Sequence, residues 1–155
     1  MLLSCYFGFG SVILLCALFI PTSSGDGSIL GFAMHAQSAG PCCFRLSMNI
    51  RNWNVLCWNI RGLNAEEKHD VVHDKIEESG CSIVCLQETK IQSFDLPLVR
   101  KFAPRRFDKF DFVPSIGASG GILIIWNSAV FLGLTIDKQV FGLTINFTSQ
   151  HNSAH

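Results

Sequence analysis

The sequence predicts an α/β chain, a mixed sheet with one crossover helix. Three observations predict it. Residues 53–60 and 82–87 are short apolar runs rich in strand-forming side chains. A helix-patterned segment lies between them, and such a crossover makes the two strands parallel neighbours. Four more strand-like runs follow residue 110, separated only by short turns.

Order begins near Asn52. Trp53-Asn-Val-Leu-Cys-Trp-Asn-Ile forms the first strand, and Arg61-Gly62 ends it. Asn64 is positioned to cap the following helix, with Glu67 three residues later completing a capping-box pattern. Glu66 and Glu67 suit the positive end of the helix dipole. Val72 and Ile76 lie four apart on one face, and Gly80 supplies the C-terminal stop. Ser82-Ile-Val-Cys-Leu-Gln is the second buried strand. Residues 91–109 are irregular and basic, with Pro97 and Pro104 as breakers. Phe110–Ile116, Gly121–Trp126, Val130–Ile136 and Phe141–Thr148 are strands, with turns at Gly117-Ala-Ser-Gly-Gly, Asn127-Ser and Asp137-Lys-Gln. Strands so closely spaced are expected to pair as antiparallel hairpins.

The charged content divides the chain. Of its 155 residues 15% are charged, and between Met1 and Phe44 the only charged side chain is Asp26. Residues 1–24 therefore read as an apolar leader, either a signal peptide or membrane anchor or a stretch never selected as protein. Pro21-Thr-Ser-Ser-Gly resembles the end of a secretory signal, yet no basic segment precedes the apolar run. Residues 25–51 read as a disordered linker rich in Gly, Ser and Ala, and residues 149–155 as a polar tail. A real leader places the protein in a membrane, through residues 1–20, or outside the cell, where Asn146-Phe-Thr is a glycosylation acceptor. An artefactual one leaves it nuclear or cytoplasmic. The seven cysteines are odd in number and irregularly spaced, which excludes a disulfide framework. Cys57, Cys81 and Cys85 sit in apolar runs as small core residues. The net charge is +0, so no basic excess announces a nucleic-acid binder. Arg100, Lys101, Arg105, Arg106 and Lys109 gather locally and read as a solvated loop rather than a phosphate-contacting patch.

Asn59 ends the first strand and Glu88 follows the second. In a parallel pair both ends emerge on one side, where open α/β sheets place ligands. A carboxylate beside a carboxamide suits a hard divalent cation and a phosphate. Other constellations are weaker. His69 and His73 share a helical face but lack the glutamate and third ligand of a zinc helix, and read as surface histidines. Cys81 and Cys85 on one strand are ~13 Å apart, whereas two thiolates on one zinc lie within ~5 Å; no zinc site is expected. Gly117–Gly121 reads as a hairpin turn, and Trp58 and Trp126 as core.

Leu56-Cys-Trp-Asn-Ile-Arg-Gly-Leu-Asn followed by Ile83-Val-Cys-Leu-Gln-Glu-Thr-Lys resembles the magnesium-dependent endonuclease/exonuclease/phosphatase family. With Gly120-Gly-Ile-Leu-Ile-Ile-Trp-Asn it looks most like the endonuclease domain of plant LINE-type retrotransposons. The resemblance spans residues 52–148 and implies about half of a four-layer α/β sandwich. It also implies that Asn59 positions the scissile phosphate and that Glu88 binds the catalytic Mg2+, with Gln87 and Lys90 as neighbours and Lys90 near the substrate. The implied substrate is a DNA phosphodiester, and no small-molecule cofactor is expected.

The family's later parts have no counterpart. There is no aspartate-x-asparagine motif and no aspartate-histidine pair; Tyr6 is the only tyrosine, and His151 and His155 lie in the tail. Each missing acid or base typically contributes a factor of ~10²–10⁴. The expectation is a truncated, retrotransposon-derived domain, inactive alone. The alternative is a small, non-enzymatic membrane-anchored or secreted protein carrying a remnant of this domain.

Overall fold

The apolar runs around Cys57 and Cys85 are parallel neighbours joined by a helix. The computed structural model describes residues 2–8, 11–17, 41–48, 51–140 and 142–150. In chain order the elements are β1 (Leu2–Gly8), β2 (Ser11–Ala17), β3 (Cys42–Met48), β4 (Arg51–Asn59), α1 (Glu66–Ser79), β5 (Ile83–Gln87), α2 (Leu96–Val99), β6 (Lys109–Ile116), β7 (Ser119–Trp126), β8 (Phe131–Gln139) and β9 (Gly142–Ser149). The protein is mixed α/β, and most of it is sheet. One sheet has the order β3-β4-β5-β7-β6, the other β1-β2-β9-β8. The first is mixed: β4 and β5 run parallel with Cys57 opposite Cys85, and the other pairs are antiparallel. The second is antiparallel throughout.

Strands β4, β5 and β7 are buried on both faces, which is why they read as continuous apolar runs. Val55, Cys57, Ile83, Cys85, Ile122, Ile124 and Trp126 point to the second sheet and meet Phe131, Leu143, Ile145 and Phe147 there. Leu56, Val84, Leu86, Leu123 and Ile125 point the other way, against Val72 and Ile76 of α1 and against Val99, Phe102 and Phe107. Each such side chain stabilises the fold by about 1.5–3 kcal/mol through burial.

Helix α1 starts at Glu66. Its N-cap is Ala65, which makes no side-chain cap bond, so the expected capping box at Asn64 does not form. The first turn still carries Glu66 and Glu67, and Gly80 closes the helix in the left-handed conformation at φ 56°. Residues 91–109 hold a short helix rather than only loop. Asp95 caps it by accepting from the Leu98 N–H at 2.8 Å, and Pro97 falls in its first turn, where proline is tolerated.

The four runs after residue 110 do not form one sheet. β6 pairs β7 and β8 pairs β9, but β7 and β8 belong to different sheets. The chain turns away at Asn127. Its carbonyl accepts from Val130 at 3.1 Å and from Phe131 at 3.0 Å, and its side chain accepts from the Ala129 N–H at 2.9 Å. This closed turn redirects the chain onto the face of the first sheet. β8 also runs through the expected Asp137-Lys-Gln turn, with a register irregularity between Thr135 and Asp137.

Residues 2–8 and 11–17 of the apolar leader are the strands β1 and β2, and β2 pairs β9 with Leu14 opposite Ile145. Residues 42–48 of the expected linker are β3, paired to β4. The remaining leader and linker residues, and His151 and His155 of the tail, lie outside the described residues. Among the described residues no helix is long and apolar enough to cross a membrane.

Candidate functional site

The C-terminal ends of β4 and β5 emerge together, as a parallel register requires. Asn59 stands opposite Gln87, the last residue of β5, and Glu88 follows. The Asn59 carboxamide donates from Nδ2 to Glu88 Oε1 at 3.0 Å. Its Oδ1 accepts from the Arg61 N–H at 3.3 Å. The amide thus bridges the two turns that leave the sheet. Gln87 is fully buried beneath them, whereas Lys90 is exposed.

These turns are also zipped along the backbone. Ile60 N–H donates to Gln87 O at 2.9 Å, Gly62 N–H to Glu88 O at 2.7 Å, and Leu63 N–H to Thr89 O at 2.9 Å. On the far side Thr89 N–H donates to Gly121 O at 3.2 Å and Lys90 N–H to Gly120 O at 3.1 Å. Lys68 reaches back from α1, and its ammonium donates to the carbonyls of Ile60 at 3.1 Å, Arg61 at 3.4 Å and Gly62 at 2.9 Å.

All of the non-glycine residues with positive φ among the described residues are here: Arg61 at 53°, Glu88 at 52° and Lys90 at 59°. Each such conformation costs about 1–3 kcal/mol, and strain of this kind persists only where surrounding bonds enforce it. The bonds just described do so. Gly121, at φ 86°, completes the frame, because a Cβ there would lie 2.5 Å from Thr89 Oγ1. The buried hydroxyls of Thr89 and Ser115 beside it have no hydrogen-bond partner among the described residues.

Glu88 and Asn59 are therefore brought together, and Lys90 adjoins them. Arg61, Lys68, Gly120 and Gly121 belong to the same frame and were not singled out from sequence as site residues. The Gly117–Gly121 segment is a turn only at its start, with Gly117 at φ 58°; Gly120 and Gly121 are in β7 and admit the Glu88 turn. Glu88 forms no salt bridge with a base of the described chain, and Arg61 and Lys90 likewise have no acidic partner among the described residues. Arg61 and Lys90 lie on the turns that flank Glu88, and Lys68 is bonded to the carbonyls of the first.

The competing constellations resolve structurally. His69 is buried rather than on the surface: its Nε2 sits 3.0 Å from Leu63 O and its ring packs on Phe102. His73 is half-exposed beside Asp74. Cys81 and Cys85 are buried in the cores on opposite faces of the first sheet. Trp126 is core and Trp58 packs partly buried against the helix-side core. In the basic segment, Arg100 donates to the carbonyls of Pro104, Arg105 and Phe107, Arg106 pairs with Glu77 at 2.7 Å, and Lys101 with Glu66 at 3.7 Å. Of this cluster only the Arg105 side chain has no partner among the described residues, since Lys109 lies within electrostatic reach of Asp108. No group of three or more His, Cys, Asp or Glu side chains placed to hold a metal ion occurs among the described residues. No known protein family matches the chain, and no curated protein matches it.

Proposed function

We propose that the chain is a partial, retrotransposon-derived member of the magnesium-dependent endonuclease/exonuclease/phosphatase family, corresponding to about half of its four-layer α/β sandwich. The reaction of the complete domain is hydrolysis of a DNA phosphodiester, and this chain is inactive alone. The observation that carries the reading is the 3.0 Å hydrogen bond from Asn59 to Glu88 at the shared end of two parallel strands.

The donor set fits a hard divalent cation. Magnesium takes one or two carboxylates and completes its shell with water and phosphate oxygens. Glu88 is oriented through one oxygen by Asn59 and neutralised by no described base, so it would hold the ion. Once bound, the ion supplies positive charge to the phosphate and lowers the pKa of a bound water. Asn59 keeps its second Nδ2 hydrogen for a phosphate oxygen while the first holds Glu88. The backbone zip and Lys68 keep both groups in place without a conformational step. Among the described residues, no side chain beside Asn59 and Glu88 is a candidate for a general base or a phosphate-contacting histidine. Plasmid incubated with the chain and magnesium is therefore expected to remain supercoiled.

The site itself is tested by paramagnetic broadening. Manganese takes the same oxygen ligands, and is expected to broaden the amide resonances of residues 59–62 and 88–90 first. Glu88→Gln should abolish this. Broadening centred elsewhere, for example on the acidic surface of α1, would contradict the assignment.

A further inference from the structure

The basic residues on the turns flanking Glu88 are not explained by holding a metal. Lys68 is consumed by three carbonyls. Arg61 and Lys90 are not: both are exposed, both are held at positive φ, and neither has an acidic partner among the described residues. Their turns adjoin through the bonds of Gly62 to Glu88 and Leu63 to Thr89. The stem of Lys90 crosses the Arg61-Gly62 turn, its Cδ lying 3.4 Å from where a Gly62 Cβ would stand. Gly62 itself is at φ 106°. Two basic side chains thus leave adjoining strained turns, and neither is paired with an acid of the described chain. A guanidinium and an ammonium so placed match a phosphate group, the first as a fork and the second as a point charge.

We infer that Arg61 and Lys90 form a second anion subsite next to the Asn59–Glu88 pair, taking a phosphate that neighbours the one held there. This rests on the proposed function and deepens it: the substrate is recognised through at least two consecutive phosphates. Arg61 is then a substrate-positioning residue in its own right. A lone phosphomonoester would occupy only the Glu88 position and gain nothing from Arg61.

The test is binding of the full chain to a fluorescein-labelled single-stranded oligonucleotide, followed by anisotropy between 50 and 200 mM salt, with and without magnesium. Arg61→Asn removes the charge and tolerates the left-handed backbone. It is expected to weaken binding by roughly tenfold at the lowest salt and to reduce the salt slope by about 0.7, the value for one phosphate contact on a single strand. Arg61→Lys should restore the slope. Arg61→Gly relieves the strain while removing the charge, so a loss seen in both Asn and Gly variants cannot come from misfolding. An unchanged slope in these variants, or no oligonucleotide binding by the parent chain, would overturn the subsite. The metal reading fails separately: if magnesium leaves the parent's binding unchanged but Arg61→Asn lowers the slope, the subsite stands without the metal.

Discussion

At the scale of single residues, the site is a set of backbone conformations as much as a set of side chains. That Asn59 and Glu88 meet was legible in the sequence, because a strand–helix–strand unit forces both strand ends to one side. The left-handed conformations of Arg61, Glu88 and Lys90 were not, since nothing in a non-glycine side chain announces positive φ. The Gly120-Gly121 pair was visible, but as a turn; its part in admitting the Glu88 turn depends on a strand 30 or so residues earlier in the chain. Gly121→Ala tests that part. It combines a positive φ with a contact of 2.5 Å to Thr89, and is expected to destabilise the protein by about 2–4 kcal/mol in chemical denaturation. A change within ~0.5 kcal/mol would mean the Glu88 turn does not depend on the glycine.

Asp108 gives a residue-scale pH signature. Burial raises its carboxyl pKa, but hydrogen bonds from the Ser128 hydroxyl and N–H, with its own N–H and the Lys109 charge, outweigh this and leave it below 3.8. A folded-state value depressed in this way contributes stability above the unfolded value, and that stability is lost as pH falls through the lower folded value. Asp108→Asn should therefore flatten the acid side of a stability-versus-pH curve below about pH 4 and leave its neutral side parallel to the parent's.

At the scale of elements, α1 and its two flanking strands followed directly from periodicity, with Val72 and Ile76 facing the core. The departure of β8 from β7 did not, because a four-residue connection is compatible with a hairpin or with a change of sheet. Tertiary packing decides it: Trp126 at the end of β7 stacks edge-on against Phe147, with ring centroids 5.4 Å apart, and Gly133 of β8 lies directly over the indole. A Cβ at Gly133 would sit 2.7 Å from Trp126 Cε2 and 2.9 Å from Phe147 Cε1. Gly133→Ala is expected to cost about 1–3 kcal/mol as these rings are forced apart. Neutral behaviour in thermal unfolding would contradict so close an approach of the two sheets. The apolar stretch before residue 20 was ambiguous for a different reason: an unbroken apolar run carries no period to separate helix from strand.

At the scale of the whole molecule, two sheets share one core, and the edge between β6 and β8 is tied by polar contacts. Thr135 Oγ1 donates to Asp111 Oδ2 at 2.5 Å, and Lys138 pairs with the same carboxylate. The outer face of β8 is less finished. Leu132, Leu134 and Ile136 alternate toward solvent on this edge strand, at 61%, 68% and 54% exposure. An exposed apolar edge strand invites pairing between chains. Leu134→Lys is expected to raise the monomer fraction in sedimentation while leaving the melting temperature within a few degrees. Unchanged association would place the contact surface elsewhere.

Glu88, oriented by Asn59, is proposed to hold a divalent cation. Thermal unfolding of the parent chain and of Glu88→Gln, each with and without 10 mM magnesium, tests it most directly. For a dissociation constant of about 1 mM, mass action stabilises the parent by about 1.4 kcal/mol, a rise of roughly 3–6 °C for a chain of this size. That rise is expected in the parent and is expected to be absent in Glu88→Gln. An equal rise in both proteins, or none in the parent, would contradict the proposal.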